Sequence, residues 1–95
     1  MITTMIENRR IELSGREIMY LKSTSFLPPE LAQIIHTSLP LHGDKHVVTL
    51  SQDVAERFRD EFTNRLAKVG FDPDYEPTSE GKMLEGLIDR FYRGA

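Results

Sequence analysis

The clearest hydrophobic pattern in the chain runs from Ser51 to Phe71. Because an α-helix turns by about 100° per residue, apolar side chains spaced by three or four residues share one face. Ser51 is a suitable N-cap, and Gly70 can take the left-handed conformation that ends many helices, with Phe71 against Leu66. We therefore predict one long amphipathic helix whose inner face belongs to the core. Its inner residues are Val54, Phe58, Phe62, Leu66 and Val69.

A second helical pattern occupies the C-terminal part of the chain. Thr78 can cap this helix, and apolar residues follow it at helical spacing. Pro73 and Pro77 exclude a continuous helix between the two patterns, so the chain must turn back there. We predict that the two long helices pack antiparallel and cover one face of a small sheet. The inner residues of the second helix are Leu84, Leu87, Ile88 and Phe91.

The first half of the chain carries the patterns of short strands. Residues 2–6 are rich in β-branched side chains, and polar and apolar residues alternate over residues 10–13. These two segments predict a hairpin with Asn8 in its turn. Residues 46–50 form a further predicted strand, which leads directly into the long helix.

Two short helices are predicted between these strands. Ser14 and Glu17 have the spacing of a capping box, and the helix that they begin ends near Lys22. The second helix opens at residues 28–30, because its two prolines fit a first helical turn, where no amide partner is needed. Its core residues are Leu31, Ile34 and Ile35.

The ends of two strands share a short sequence echo. A leucine and a serine stand both at residues 13–14, before the first helix, and at residues 50–51, before the long helix. If both strands feed helices from the same edge, they are parallel and joined by a crossover. The expected fold class is therefore α+β. A single domain over residues 1–95 combines a two- or three-stranded sheet, a layer of two long antiparallel helices, and two short helices.

Composition narrows the functional classes. The chain has no cysteine and no apolar run of about 18 residues, so we expect a cytoplasmic protein without a disulfide framework or a membrane span. The net charge is −3, and residues 51–95 carry seven basic and ten acidic side chains. This balance argues against nucleic acid as a partner and favours a basic protein.

Neither metal binding nor catalysis is expected. His36, His42 and His46 lie close in sequence, but Gly43 and Asp44 place them around a loop rather than on one helix face. The acidic run that starts at residue 72 has proline and methionine where a calcium loop needs glycine and glutamate. No nucleophile, base and orienting group share a motif, and no phosphate-binding glycine loop is present. We therefore predict that the protein has no cofactor and is not an enzyme. A small hydrolase ranks third among the functional hypotheses.

The connection between the two long helices is the candidate binding site. Two prolines brace it and Tyr75 stands in its middle, so its carboxylates are expected to form a fixed acidic surface for a basic protein. Glu56 and Asp60, on the outer face of the long helix, could extend this surface. The alternatives are a solvated connection with Tyr75 folded onto the core, and a solvated helix face. The carboxylates of the connection are Asp72, Asp74, Glu76 and Glu80.

Residues 69–81 and 84–91 also resemble the tail of a group of small bacterial proteins of about this length and layout. With Leu13-Ser14, Arg16-Glu17 and residues 28–31, the resemblance extends over most of residues 11–92. The associated function is that of small cytoplasmic immunity proteins, which neutralise a toxin delivered by a neighbouring bacterium. The resemblance thus implies non-enzymatic binding of a toxin domain. The second hypothesis is a homodimeric accessory or regulatory protein of a metabolic operon, with Gly86 at the point of close approach.

Overall fold

The computed structural model describes residues 8–93, and it contains three strands and four helices within that range. The α+β class is confirmed. The two long helices, Gln52–Val69 and Ser79–Arg93, pack against each other in antiparallel orientation. In chain order the elements are β1 (Asn8–Leu13), α1 (Gly15–Ser23), α2 (Pro29–His36), β2 (Leu39–Pro40), β3 (His46–Ser51), α3 (Gln52–Val69) and α4 (Ser79–Arg93).

The described strands form an antiparallel sheet in the order β1-β3-β2. The predicted parallel pairing is wrong, because Asn8 lies opposite Ser51 and Leu13 lies opposite His46. The chain leaves β1 at Leu13, passes through α1 and α2, and returns to the same end of the sheet at His46. A connection that returns to the same end of the sheet makes the two paired strands antiparallel. The leucine and serine at the end of each strand mark only the local junction between that strand and its helix.

Asn8 is a strand residue rather than the turn residue of a hairpin. It begins β1 and pairs with Ser51, and the one non-glycine residue with positive φ in the described range is Tyr75. The assignment of Asn8 to a turn is therefore wrong. The other predicted strand of that hairpin, residues 2–6, lies outside the described residues.

The core is built around three phenylalanine rings from the two long helices. Phe58, Phe62 and Phe91 are each fully buried, which confirms the predicted inner face of α3. The Phe91 ring centroid lies 5.0 Å from that of Phe58 and 5.1 Å from that of Phe62, in tilted and edge-on arrangements that aromatic pairs favour. The sheet and the short helices contribute Ile11, Leu13, Ile18, Leu21, Leu31, Ile35, Val48 and Leu50 to the same cluster.

The predicted capping box at the start of α1 is confirmed and does more than cap the helix. Ser14 Oγ accepts a hydrogen bond from the Glu17 amide, and the Glu17 carboxylate accepts one from the Ser14 amide. Glu17 is also buried and forms a 2.8 Å ion pair with Arg90 of α4. Arg90 also donates a hydrogen bond to the Glu12 carbonyl oxygen. This guanidinium therefore links α4 to both α1 and β1.

The end of α3 differs from the prediction. Gly70 has φ −75° and ψ −15°, which is right-handed helical backbone, so the predicted left-handed cap is wrong. Glycine is required there for space, because a Cβ would collide with Leu66. A Cβ on Gly81 of α4 would in turn collide with the Gly70 carbonyl group. The two glycines therefore let the end of α3 and the start of α4 touch backbone to backbone.

Thr78 joins the same two helix ends by hydrogen bonds. Its side-chain oxygen accepts from the Gly81 amide at 2.9 Å, which confirms it as the cap of α4, and donates to the Val69 carbonyl at 2.9 Å. Its own amide donates to the Gly70 carbonyl at 2.8 Å. No helix in the described part of the chain is both long and apolar enough to cross a membrane.

Candidate functional site

The segment of residues 71–77, here called the acidic loop, connects α3 to α4 as a closed structure. Phe71 and Pro77 form an antiparallel bridge at its base. Within the loop, the Asp72 amide donates to the Glu76 carbonyl and the Tyr75 amide donates to the Asp72 carbonyl, both at 2.9 Å. The loop therefore has internal hydrogen bonds of the kind that hold a tight turn in one conformation.

Asp72 is the internal brace of the acidic loop. Its Oδ1 accepts hydrogen bonds from the amides of Asp74 and Glu76, each at 2.9 Å. A carboxylate that receives two amides in this way forms strong, charge-assisted hydrogen bonds. The structure thus gives this predicted binding residue a clear role inside the loop, where it orders the backbone on either side of Tyr75.

Tyr75 is displayed at the tip of the acidic loop. It has φ 64°, and 85% of its surface is exposed. The left-handed conformation costs a non-glycine residue about 1–2 kcal/mol, so the loop hydrogen bonds must hold it there. The alternative in which Tyr75 folds onto the core is wrong. The loop instead holds the backbone of Tyr75 so that its aromatic ring is exposed to solvent.

Asp74 and Glu76 flank Tyr75 in sequence, and Phe71 lies at the base of the same loop. Both carboxylates are exposed and neither has a side-chain partner among residues 8–93. Phe71 is 47% exposed, whereas the sequence placed it against Leu66. The predicted contact with Leu66 belonged to a left-handed cap at Gly70, and Gly70 instead has right-handed backbone. These four residues, Phe71, Asp74, Tyr75 and Glu76, are called the Tyr75 patch below.

Glu80 belongs to a different environment from the patch. Its Oε2 accepts hydrogen bonds from the Tyr20 hydroxyl at 2.6 Å and from Arg65 Nε at 3.1 Å. The Tyr20 hydrogen bond lowers the pKa of Glu80, with a further contribution from Arg65. Burial and the Glu80 hydrogen bond raise the pKa of Tyr20. Glu80 therefore joins α1, α3 and α4, and its charge is engaged within the fold.

Glu56 and Asp60 lie on the exposed face of α3, as the helical pattern predicts. Glu56 is 3.9 Å from Arg59, which is a weak surface pair. Asp60 precedes Gly70 by ten residues, which corresponds to about 15 Å along the helix axis. The seven predicted site residues thus fall into three groups, namely the acidic loop, the Glu80 cluster and the outer face of α3.

The histidines do not form a cluster of ligands. His46 lies in β3, with its Nδ1 3.1 Å from the Asp44 carbonyl oxygen, and His36 ends α2. Among residues 8–93, no three or more His, Cys, Asp or Glu side chains are grouped so that they could hold a metal ion.

The chain matches no model of a protein family, no curated protein sequence and no solved structure in the three comparisons. The Tyr75 patch and its supporting hydrogen bonds are therefore the basis of the functional proposal.

Proposed function

We propose that this protein is a non-enzymatic protein-binding domain that recognises a basic partner through the Tyr75 patch. The observation that carries the proposal is the presentation of Tyr75, which is 85% exposed at φ 64° on a hydrogen-bonded loop. A strained conformation that exposes an aromatic ring stabilises neither the core nor the loop. Such local strain is typical of sites that are organised in advance for binding.

The energetics of association favour a patch of this kind. A tyrosine supplies a large contact area and has few rotatable bonds, so little side-chain entropy is lost when it is buried by a partner. A loop that is already ordered also avoids the cost of ordering on binding. Asp74 and Glu76 then supply negative charge on both sides of the ring, which attracts lysine and arginine and fixes the orientation of the partner.

The specific role that we propose is toxin neutralisation in the bacterial cytoplasm. The partner would be a toxin domain, as the resemblance of residues 69–81 and 84–91 to small immunity-like proteins suggests. Its surface would be basic, to complement Asp74 and Glu76. In this proposal α3 and α4 form a layer over one face of the sheet and provide a rigid support for the loop. The Tyr75 ring would enter an apolar pocket of the toxin, and the flanking carboxylates would pair with cations at its rim.

The proposal is tested by charge reversal at two places on the molecule. The partner is first captured on the immobilised protein and identified, and its affinity is then measured by calorimetry at low and high salt. The double variant Asp74→Lys with Glu76→Lys should weaken binding at least tenfold, and the difference should shrink at high salt because the interaction is screened. Tyr75→Ala should also weaken binding at least tenfold, at both salt concentrations.

The matched control is Glu56→Lys with Asp60→Lys. It changes the net charge by the same amount but lies about 15 Å or more from the loop along α3. We expect this control to keep most of the affinity. Equal losses in the two double variants would show that only net charge matters, and a loss confined to the control would place the binding surface on α3. Either result would overturn the assignment to the Tyr75 patch.

A further inference from the structure

A shallow groove lies between the start of α1 and the first half of α4, and none of its lining residues belongs to the acidic loop. Its volume is about 400 Å³, which is within the usual range of small-molecule sites. Ser14, Arg16 and Glu17 line it on the α1 side, and Ser79, Lys82 and Gly86 line it on the α4 side. This α1–α4 groove shares no residue with the Tyr75 patch.

Two cationic side chains line the groove. Arg16 and Lys82 are both exposed, and neither has an ion-pair partner within the described part of the chain. The carboxylate in the groove belongs to Glu17, whose Oε1 is 2.8 Å from both the Ser14 amide and Arg90 Nη1. Its charge is therefore compensated within the fold. A cationic groove of this kind stands out in a protein whose net charge is −3.

Gly86 provides an independent reason to regard the groove as a site. A glycine inside a helix costs about 1 kcal/mol relative to alanine, so it requires an explanation. Packing does not supply one, because a Cβ at Gly86 would meet no atom within 4 Å. A larger side chain there would instead extend into the groove. The absence of a side chain at Gly86 therefore leaves the groove open at this position.

We propose that the α1–α4 groove binds a small organic phosphate, with Arg16 and Lys82 as the ligands of its phosphoryl group. A phosphate dianion has three terminal oxygens, so it can accept hydrogen bonds from a guanidinium, an ammonium and a serine hydroxyl together. The arginine fork suits two of these oxygens and the lysine adds a compact positive charge. The rest of the ligand would lie over Gly86 and against Met83, which forms the apolar part of the wall.

The binding test uses amide chemical shifts in NMR titrations of the complete chain. The probes are adenosine monophosphate, inorganic phosphate, succinate and uncharged adenosine. We expect saturable shifts at residues 14–17 and 79–86, with adenosine monophosphate binding at least fivefold more tightly than inorganic phosphate and with no saturable binding of adenosine. Tighter binding of succinate than of both phosphates, or no saturable binding of either phosphate, would overturn the proposal.

Variants then separate a specific site from general charge attraction. Arg16→Gln with Lys82→Gln should weaken binding of adenosine monophosphate at least tenfold. The matched control is Lys22→Gln with Lys45→Gln, which removes the same charge from exposed positions outside the groove and should change the affinity less than twofold. Equal losses in the two double variants would overturn the assignment.

A further variant tests the space itself. Gly86→Leu should block binding of adenosine monophosphate by at least tenfold while leaving the melting temperature unchanged or higher, since leucine is the better helix former. Full affinity in this folded variant would overturn the role of the groove. The Asp74→Lys and Glu76→Lys variant should bind the phosphate normally, so failure of this proposal and failure of the proposed function are distinguishable.

Discussion

Phe58, Phe62 and Phe91 are fully buried against one another, whereas Tyr75 is 85% exposed at the tip of a loop. The three buried rings are positioned by helical periodicity and by contact between two long helices. The exposed ring is positioned by backbone hydrogen bonds over five residues, from Asp72 to Glu76. Aromatic residues therefore occupy two different environments in this chain. The buried cluster stabilises the fold, and the Tyr75 patch depends on that fold for its rigidity while adding little to its stability.

The largest expected effect separates these two environments directly. Phe62→Ala should lower the free energy of unfolding by about 3–5 kcal/mol, because it removes a buried ring and leaves a cavity among the neighbouring rings. Tyr75→Ala should change it by about 0.5 kcal/mol or less, as expected for an exposed position. Urea denaturation of both variants provides the measurement. Similar losses at the two sites would contradict the division between them.

The backbone contact between the end of α3 and the start of α4 can be tested with two glycines of α4. Gly81→Ala should destabilise the protein by about 1–3 kcal/mol, because the new Cβ is forced against the Gly70 carbonyl group. Gly86→Ala is the control and should instead stabilise by up to about 1 kcal/mol, since it gains helix propensity in open space. Thermal melts of both variants would reveal the opposite signs. Stabilisation by both would mean that the two helix ends are not in backbone contact.

A smaller effect is expected when the loop loses its internal brace. Asp72→Ala removes the acceptor of the Asp74 and Glu76 amides and should cost about 1 kcal/mol of stability. Amide hydrogen exchange should become faster at these two residues and remain unchanged in the core of α3. Asp74→Ala is the control, since it removes a carboxylate that braces nothing in the described residues. Unchanged exchange in Asp72→Ala would show that the loop holds Tyr75 by other means.

The smallest effect is a pH dependence from Glu80. Hydrogen bonds from Tyr20 and Arg65 lower the pKa of Glu80 in the folded state below 4.5, the ordinary value for a glutamate. The stabilisation is therefore fully present well above that value and is lost as the pH falls through the folded-state pKa. The drop in melting temperature between pH 7 and pH 3 should be smaller in Glu80→Gln than in the parent protein. An identical drop would remove Glu80 from the acid response.

Periodicity and capping patterns predicted the parts of the fold that depend on neighbours in sequence. Phe58 and Phe62 follow from helical spacing, and Ser14, Ser51 and Thr78 from the side-chain chemistry of helix starts. The strand direction could not be predicted in this way, because the leucine and serine at the end of each strand indicate only a local junction between a strand and a helix. It depends instead on where the chain returns after α1 and α2.

The remaining errors concern partners that are distant in sequence. Gly70 does not have the predicted left-handed backbone, and a Cβ there would collide with Leu66. Its carbonyl group contacts Gly81, where a Cβ would collide with it, and this contact between two helices has no local sequence pattern. Glu80 appeared to belong to the acidic surface because it is close to Glu76 in sequence, but Tyr20, 60 residues away, binds its carboxylate. The sequence of the acidic loop fits both an exposed Tyr75 ring and a Tyr75 ring that is folded onto the core. Only the observed loop geometry decides between them.

The hydrogen bonds of Thr78 have a consequence for how this protein can be altered. Thr78 fastens the end of α3 to the start of α4 through Val69, Gly70 and Gly81, and all four of these residues lie outside the acidic loop. The two helices are thus joined by hydrogen bonds that do not involve the acidic loop. Residues 71–77 can accordingly be exchanged as a cassette, in the way that variable loops are exchanged on an antibody framework, so new binding specificities can be selected without redesign of the helices.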